Sequence, residues 1–469
     1  MQNQLKPMHL TKQHYDVIVI GGGASGMMAA GRAAARGKKV LLLEKNKALG
    51  EKLKISGGGR CNITNAEEDP HVLLPKYGTA EKFLYTPFSQ FGVKETFEFF
   101  TLRGLQIVVE AHKRAFPVTQ KALDVFRVLE RYLEEGHVEI LPSTNVRQLV
   151  SKNGAIEKVV TDRGEYSADA FVLSTGGMSH PETGSTGDGF QFLRDLGFAV
   201  ETPTPTLVPI AVRERWVKSL SGISIDQARV TFFVDAKKKF ALKGRILFTH
   251  FGLSGPTILN AAGKISDTLT EGEVTALIDT FPNIDHGTLD KEVLLMFETN
   301  KNKQLKTVFK GIAPDGMSDT ILSLLTKLNP ETKVHSVSKE DRKKLVQLMK
   351  ALPFTVRGLM GNDLAIVSDG GLSLLQIETK TMKTKLFSNL FVTGDLLHIR
   401  RPSGGFSLQL CWTTGKSCII FLIESIASFS LCHSEQSEES SGNIHVSEMK
   451  RSFTPFRMTQ EQNFHFSLK

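Results

Sequence analysis

The chain has 469 residues, of which 41% are hydrophobic and 23% charged, with a net charge of +9 at pH 7. This length exceeds one ordinary core and predicts two or three domains, with the composition of a soluble globular protein. No uncharged apolar run reaches the length of about 18 residues that a membrane span needs. The four cysteines lack C-x-x-C spacing, which argues against a disulfide framework, a zinc site or a thioredoxin-like motif. The N-terminal residues lack the apolar segment of a secretion signal, so a reducing, cytoplasmic setting is the expectation. The positive charge is dispersed, and its densest run, Lys237 to Lys239, reads as an exposed turn. Nucleic-acid binding is therefore not favoured.

Asp16 to Ile20 is a short β-branched apolar run that suits a buried parallel strand. Gly21-x-Gly23-x-x-Gly26 follows it, then an Ala-rich helical segment to about Arg36 and a second strand, Val40 to Leu43, ending in Glu44. That is the order of a dinucleotide-binding unit. Gly21 turns the chain, Gly23 admits a pyrophosphate, and Gly26 packs the helix on the sheet. Glu44, 18 residues past Gly26, is placed to accept ribose hydroxyls. Ala24 and Ser25 offer the first N–H groups of the helix.

The loop from Lys45 to Asn65 is too long and glycine-rich for a casual connection. Within it, Ser56-Gly57-Gly58-Gly59-Arg60-Cys61-Asn62 suits close backbone contact with a flat or anionic ligand, with Arg60 as charge partner. Cys61 reads as a packed residue rather than a nucleophile, since no second cysteine is near it in sequence. Phe83 to Arg103 reads as an amphipathic helical region, and Thr119 to Glu135 as a helix capped by Thr119. Val138 to Leu141 and Ile156 to Thr161 read as strands, and Val146 is expected beside the first strands. Ala170 to Ser174 is a buried strand running into Thr175-Gly176-Gly177, the kind of carboxyl end where an open α/β sheet binds its ligand. His180 reads as a solvated loop residue, and Thr186 to Leu196 as a helix.

Pro203, Pro205 and Pro209 mark a boundary. Beyond them the pattern is β-rich (Ala228 to Val234, Phe240 to Leu242, Ile246 to Thr249, Glu273 to Ile278), then helical from Leu289 to about Leu352. With no strand–GxGxxG–helix, this block reads as an insertion rather than a second nucleotide domain. His250, in Phe248-Thr249-His250-Phe251-Gly252-Leu253-Ser254-Gly255-Pro256, either faces a ligand or fixes a domain corner.

The chain then returns to the first domain through Ala365 to Val367 and the strand Asn389 to Thr393, which ends in Gly394-Asp395. Pro402-Ser403-Gly404-Gly405-Phe406-Ser407 opens a helical run through Ile420. This second glycine-rich helix start points to FAD, whose ribityl chain and flavin ring extend past the pyrophosphate. Asp395 is placed for the ribityl or phosphate region, and the helix dipole near Gly405 for the charge of reduced flavin. From about Ser430 the Ser/Glu-rich sequence lacks apolar periodicity and reads as a disordered tail.

These segments resemble the BaiN/YhiN-type flavoproteins, also called the aminoacetone-oxidase type, over roughly residues 15 to 425. The resemblance rests on GGGASG, SGGGRCNITN, FTHFGLSGP and VTGDLL with RPSGGFSLQLCWTTG. It implies an α/β fold: a Rossmann-like FAD-binding domain (14–204 and 356–425), an inserted β-barrel-like domain (205–285), a small helical domain (286–355) and the tail (430–469). Two features depart from the family. His398 stands where an acid is usual, and the tail is an appendage.

Together, residues and resemblance predict cofactor contacts from Gly21, Gly23, Ala24, Ser25, Gly26, Glu44, Lys45, Lys52, Ser56, Gly57, Arg60, Cys61 and Asn62. Further contacts are expected from Val146, Thr175, Gly176, Gly177, Gly394, Asp395, Gly404, Gly405, Phe406 and Ser407. His250 is the candidate catalytic residue, and no metal is expected. The expected activity is hydride transfer between FAD and a small organic substrate, by reduction of an activated C=C bond or by amine oxidation. The lack of a second GxGxxG leaves NAD(P)H, as reductant, only a transient site. An RNA-associated flavoprotein and a flavin-bound protein without turnover are the alternatives.

Overall fold

Five parallel strands end level with one another, and this common edge organises the molecule. In the computed structural model, which describes residues 14–361, 364–365 and 367–418, His14–Ile20 lies between Val40–Leu43 and Gly164–Leu173. Glu139–Leu141 extends the sheet beyond Val40–Leu43, and Leu390–Val392 extends it beyond Gly164–Leu173. The register pairs Ile20 with both Leu43 and Leu173, Leu43 with Leu141, and Leu173 with Val392. All five carboxyl ends therefore face the same side. Gly164–Leu173 also carries an antiparallel extension, Ala155–Thr161 and Val146–Lys152. The expected tail, Cys432, the run through Ile420 and the domain end at 425 lie outside the described residues.

The helix Ala24–Ala34 packs against this sheet, against Ala122–Glu135 and against Phe406–Ser417. Its small residues make that possible: Ala29, Ala30 and Ala33 are fully buried. A Cβ on Gly26 would lie 1.9 Å from the Gly21 carbonyl oxygen, so only glycine fits there. Ala122–Glu135 starts later than the reading from Thr119, because Gln120 sits in the left-handed region at φ 56°. The region Phe83 to Arg103 is two helices, Glu81–Gln90 and Val93–Thr101. They break at Gly92, whose N–H donates to Glu95 Oε2 at 2.8 Å.

The insertion is a closed barrel of six antiparallel strands, in the order Ile210–Val212, Gly252–Ser254, Lys237–Phe248, Ser224–Val234, Val274–Asp279 and Leu352–Leu359. Lys237 to Lys239 open a strand, and the turn before it is Asp235-Ala236, both with positive φ. The expected strands Phe240 to Leu242 and Ile246 to Thr249 are one continuous strand. The helices His286–Thr299, Leu305–Phe309, Ser318–Ser323 and Lys339–Lys350 lie between the last two barrel strands in sequence. Their buried residues, such as Val293, Phe309 and Met349, form one core with the barrel's Val230, Phe232 and Ile278. The boundary expected at 355 thus falls within the strand that closes the barrel. The boundary expected at 205 falls within Val200–Thr206, which pairs antiparallel with Val367–Leu372. Pro203 and Pro205 are tolerated in that pair because a two-stranded ribbon has free edges. Among the described residues no helix is long and apolar enough to cross a membrane.

Candidate functional site

The level strand ends open into a cleft of about 190 Å³. Ile20, Leu43 and Ser174 form its floor, and the turns after those strands form its walls.

At one end is the glycine turn. A Cβ on Gly23 would meet nothing within 4 Å, so the backbone there faces open space with the first N–H groups of the helix beside it. Glu44 is buried. Its Oε2 accepts from the Gly22 N–H and its Oε1 from the Asn46 N–H, each at 2.7 Å. Burial pushes its carboxyl pKa up, although both N–H bonds and Lys45 pull the other way. A carboxylate keeps further lone-pair sites after two bonds, so ribose hydroxyls fit the same group. Lys45 donates to Asp188 Oδ2 at 2.6 Å and to the Thr186 hydroxyl.

At the other end the cleft is charged. Asp395 pairs with Arg401 and lies 3.7 Å from Lys52 Nζ, which also donates to Ser179 Oγ at 2.5 Å. Burial opposes the Asp395 carboxylate, but Arg401 and Lys52 outweigh it and hold its pKa below the usual range. Burial lowers the pKa of Lys52, and Asp395 opposes that shift. Arg401 has a 2% exposed side chain and also donates to the Ile399 carbonyl at 2.7 Å and Ser407 Oγ at 3.1 Å. Ser407 and Leu408, in the first turn of Phe406–Ser417, line this end, so a second helix N-terminus meets the cleft.

Of the expected contacts, Gly21, Gly23, Ala24, Ser25, Glu44, Lys45, Lys52, Ser56, Val146, Thr175, Gly176, Asp395 and Ser407 line the cleft. The others are placed elsewhere. Arg60 donates to Gln120 Oε1 at 2.6 Å, pairs with Glu110 and lies 3.9 Å over the Phe116 ring. Cys61 is fully buried, and burial pushes its thiol pKa up to about 12. Gly57 turns the loop beneath Asn62, whose Oδ1 is buried with no partner among the described residues. Gly26, Gly177 and Gly394 sit behind the wall against Gly21, Ser368 and Ser25. Gly404 and Gly405 pass close to Thr64 and Asn65, and Phe406 packs edge-on against Tyr77.

His250 is exposed in the tight turn between two barrel strands, against Phe251, and does not line the cleft. Sequence reasoning missed Asn46, Asn145, Thr183 to Ser185, Asp188, Phe192 and Cys411 as lining residues. The Thr-Gly-Ser turn just before the helix Asp188–Asp195 was the available signal.

The residues present fit FAD. Gly23 leaves a cradle that any Cβ would fill, and two helix N-termini converge. Thr175 Oγ1, in the cleft wall, is buried without a partner among the described residues. The same residues include no group of three His, Cys, Asp or Glu side chains that could hold a metal ion.

The family model described as HI0933-like protein Rossmann domain matches residues 15–419. The chain belongs to this family. Its members are FAD-binding flavoprotein oxidoreductases with a Rossmann domain. The chain is 28% identical over 404 residues to a 3-dehydro-bile acid delta(4,6)-reductase of Clostridium scindens, covering 85% of this chain and 96% of that protein. It is 27% identical over 418 residues to a ribosomal RNA dihydrouridine synthase of Haemophilus influenzae, covering 87% and 98%. Among solved structures, a 3-ketosteroid-delta4-(5alpha)-dehydrogenase from Rhodococcus jostii shares the fold. The TM-score is 0.50 at 14% identity, covering 89% of this chain and 98% of that one.

Proposed function

We propose that this protein is an FAD-dependent reductase that saturates a carbon–carbon double bond conjugated to a carbonyl group. The observation that carries the reading is the charged end of the cleft. There Lys52 and a helix N-terminus line the wall while the buried Arg401 already pairs with the carboxylate of Asp395, leaving positive charge in excess. Such an excess of positive charge favours an anionic, electron-rich group in the same space. When bound and reduced, FAD would supply the hydride that the reduction consumes, and with it both electrons.

The chain's own residues do the rest. Glu44 and the glycine turn fix the nucleotide half. Lys52, Asp395 and the helix start at Phe406 fix the flavin half, and the buried floor excludes water. The names of both curated relatives fit this reaction class, since a steroid-type dienone and a uracil base each carry a double bond conjugated to a carbonyl. The substrate is a small molecule in this reading, a reduced nicotinamide is the electron donor, and the protein works in the cytoplasm. An RNA-borne base is the second reading, favoured by the relative named as a ribosomal RNA dihydrouridine synthase. Oxidation of a small amine would use the same cleft in the reverse electron direction.

The test is anaerobic. The purified yellow protein is titrated with NADH or NADPH, then mixed with 2-cyclohexen-1-one, a Δ4-3-ketosteroid or unmodified ribosomal RNA. Reoxidation by an enone is the expected result. Reoxidation by RNA alone moves the reading to the second substrate class, and reduction of the flavin by an amine overturns it. Purification without flavin overturns the whole assignment.

A further inference from the structure

The cofactor cleft ends beside a second charged cluster that the reading above leaves unused. Asp369 lies in the strand Val367–Leu372, two residues beyond Val367, which lines the cleft. Asp369 itself is buried behind the cleft wall. Its side chain is 8% exposed and carries two partners. Arg400 Nε donates to its Oδ2 at 2.5 Å, and His398 Nε2 lies 3.5 Å from its Oδ1. The Gly370 N–H also donates to Oδ1, at 2.9 Å.

The loop that supplies His398 and Arg400 runs from the cleft to the barrel. Asp395 and Arg401, just before and after them in sequence, form the charged end of the cleft. Ser403, two residues further on, donates its N–H to Asn260 Oδ1 of the barrel-side helix Pro256–Asn260 at 2.9 Å. The His398 side chain is 33% exposed and that of Arg400 77%. Among the described residues His398 Nδ1 has no hydrogen-bond partner, and Arg400 has no carboxylate partner besides Asp369. A buried carboxylate thus anchors one face of an imidazole and one edge of a guanidinium. The opposite donor edges are left open, three and five residues along the loop from Asp395, which lines the cleft.

We propose that His398 and Arg400, held by Asp369, bind the carbonyl oxygen of the substrate and that His398 is the proton donor to it. This rests on the enone reading above. As a hydride adds to the β-carbon, the π electrons of the double bond move onto the carbonyl oxygen. Arg400 holds that developing negative charge, and protonated His398 gives its Nδ1 proton to the oxygen. The resulting enol returns to the ketone by exchanging a proton with water, and His398 recovers its proton from solvent. The two electrons come from reduced FAD, which a reduced nicotinamide replenishes.

4-Nitrophenol tests the site without turnover, because its phenolate oxygen stands in for the enolate. Oxidised holoprotein binding is followed by difference absorbance, for wild type, H398F, R400Q and R400K. The expected affinities fall about tenfold in H398F and R400Q and stay within about threefold in R400K. Reoxidation of reduced protein by 2-cyclohexen-1-one slows about a hundredfold in H398F, while reduction by nicotinamide keeps its wild-type rate. Wild-type affinity and reoxidation in both H398F and R400Q overturn the proposal. Absence of enone reduction in the wild type, with nitrophenolate binding still sensitive to both variants, overturns the functional reading and leaves an oxyanion site.

Discussion

The chain carries two glycine-rich stretches within its first 65 residues, and the fold treats them differently. Gly21 to Gly26 sits at the carboxyl end of a parallel strand and opens onto the cleft. Ser56 to Asn62 keeps only Ser56 at the cleft. Its arginine is turned toward Glu110 and Gln120, and its cysteine is fully buried. Glycine content is shared, but what decides ligand contact is the element that delivers the glycines. A strand end followed by a helix N-terminus aims backbone N–H groups at one point. A loop anchored by its own side chains does not.

The largest test of this contrast is to add one methyl group to each stretch. Gly26→Ala places a Cβ 1.9 Å from the Gly21 carbonyl oxygen, where only backbone movement relieves the clash. We expect a loss of about 3 kcal/mol or more, together with loss of bound flavin. At Gly58 a Cβ meets nothing within 4 Å, and the cost of Gly58→Ala is only that of a positive φ, about 1 kcal/mol. Thermal unfolding and the flavin absorbance of the purified variants measure both. Equal losses would remove the distinction between the stretches.

The second test removes the carboxylate at the charged end of the cleft. Asp395→Ala leaves the buried Arg401 and the nearby Lys52 without a counter-charge. Breaking a buried pair from one side costs about 3 kcal/mol, here softened by the bonds of Arg401 to Ile399 and Ser407. Urea midpoints of apo and holo protein report it. An unchanged midpoint would mean that Arg401 is neutralised by solvent rather than by Asp395.

The parts of the site that were legible in the sequence are the local ones. Strand, turn, helix and acid follow each other between Asp16 and Glu44, so their spacing alone places Glu44 at the mouth of the turn. The strand leading to Gly394-Asp395 was also readable, because Leu390 to Val392 is a fully buried apolar run. Other features depended on distant pairing. The strand that closes the barrel follows four helices after its neighbour Val274–Asp279, so no periodicity links the two. Asp188 lines the cleft beside Lys45, a partner 143 residues away in sequence, which is equally unreadable. His398 stood out in a familiar motif, but its meeting with Asp369 depends on the isolated bridge that sets Leu397 beside Leu372, which no local pattern announces.

A third test uses pH. Burial raises the Glu44 carboxyl pKa, so the folded state holds that proton more tightly than the unfolded chain does. Between the ordinary glutamate value and the raised one, the folded state carries more bound protons. Its stability therefore falls as pH rises through that window. Glu44→Gln removes this slope and sets an amide against one of the two N–H groups, costing about 1–2 kcal/mol near neutrality. Unfolding midpoints across mildly acidic pH should descend in the wild type and stay flatter in the variant. A parallel pair of curves would show that Glu44 ionises as freely in the fold as outside it.

The smallest effect is expected at Arg60, where the second stretch makes its strongest contacts. The guanidinium is 38% exposed, as an arginine shared among Glu110, Gln120 and the Phe116 ring would be. Exposed ion pairs and cation–π contacts are each worth well under 1 kcal/mol to about 1 kcal/mol. Arg60→Ala should therefore cost about 1 kcal/mol of stability and leave the flavin content of the purified protein unchanged. Lys52→Met, only eight residues earlier in the chain, should weaken flavin retention instead, because Lys52 lies in the cleft wall beside Asp395. Flavin-to-protein absorbance ratios after dialysis compare the two directly. If Arg60→Ala loses flavin as readily as Lys52→Met, the loop must turn toward the cofactor on binding, and the two glycine-rich stretches would then share one task.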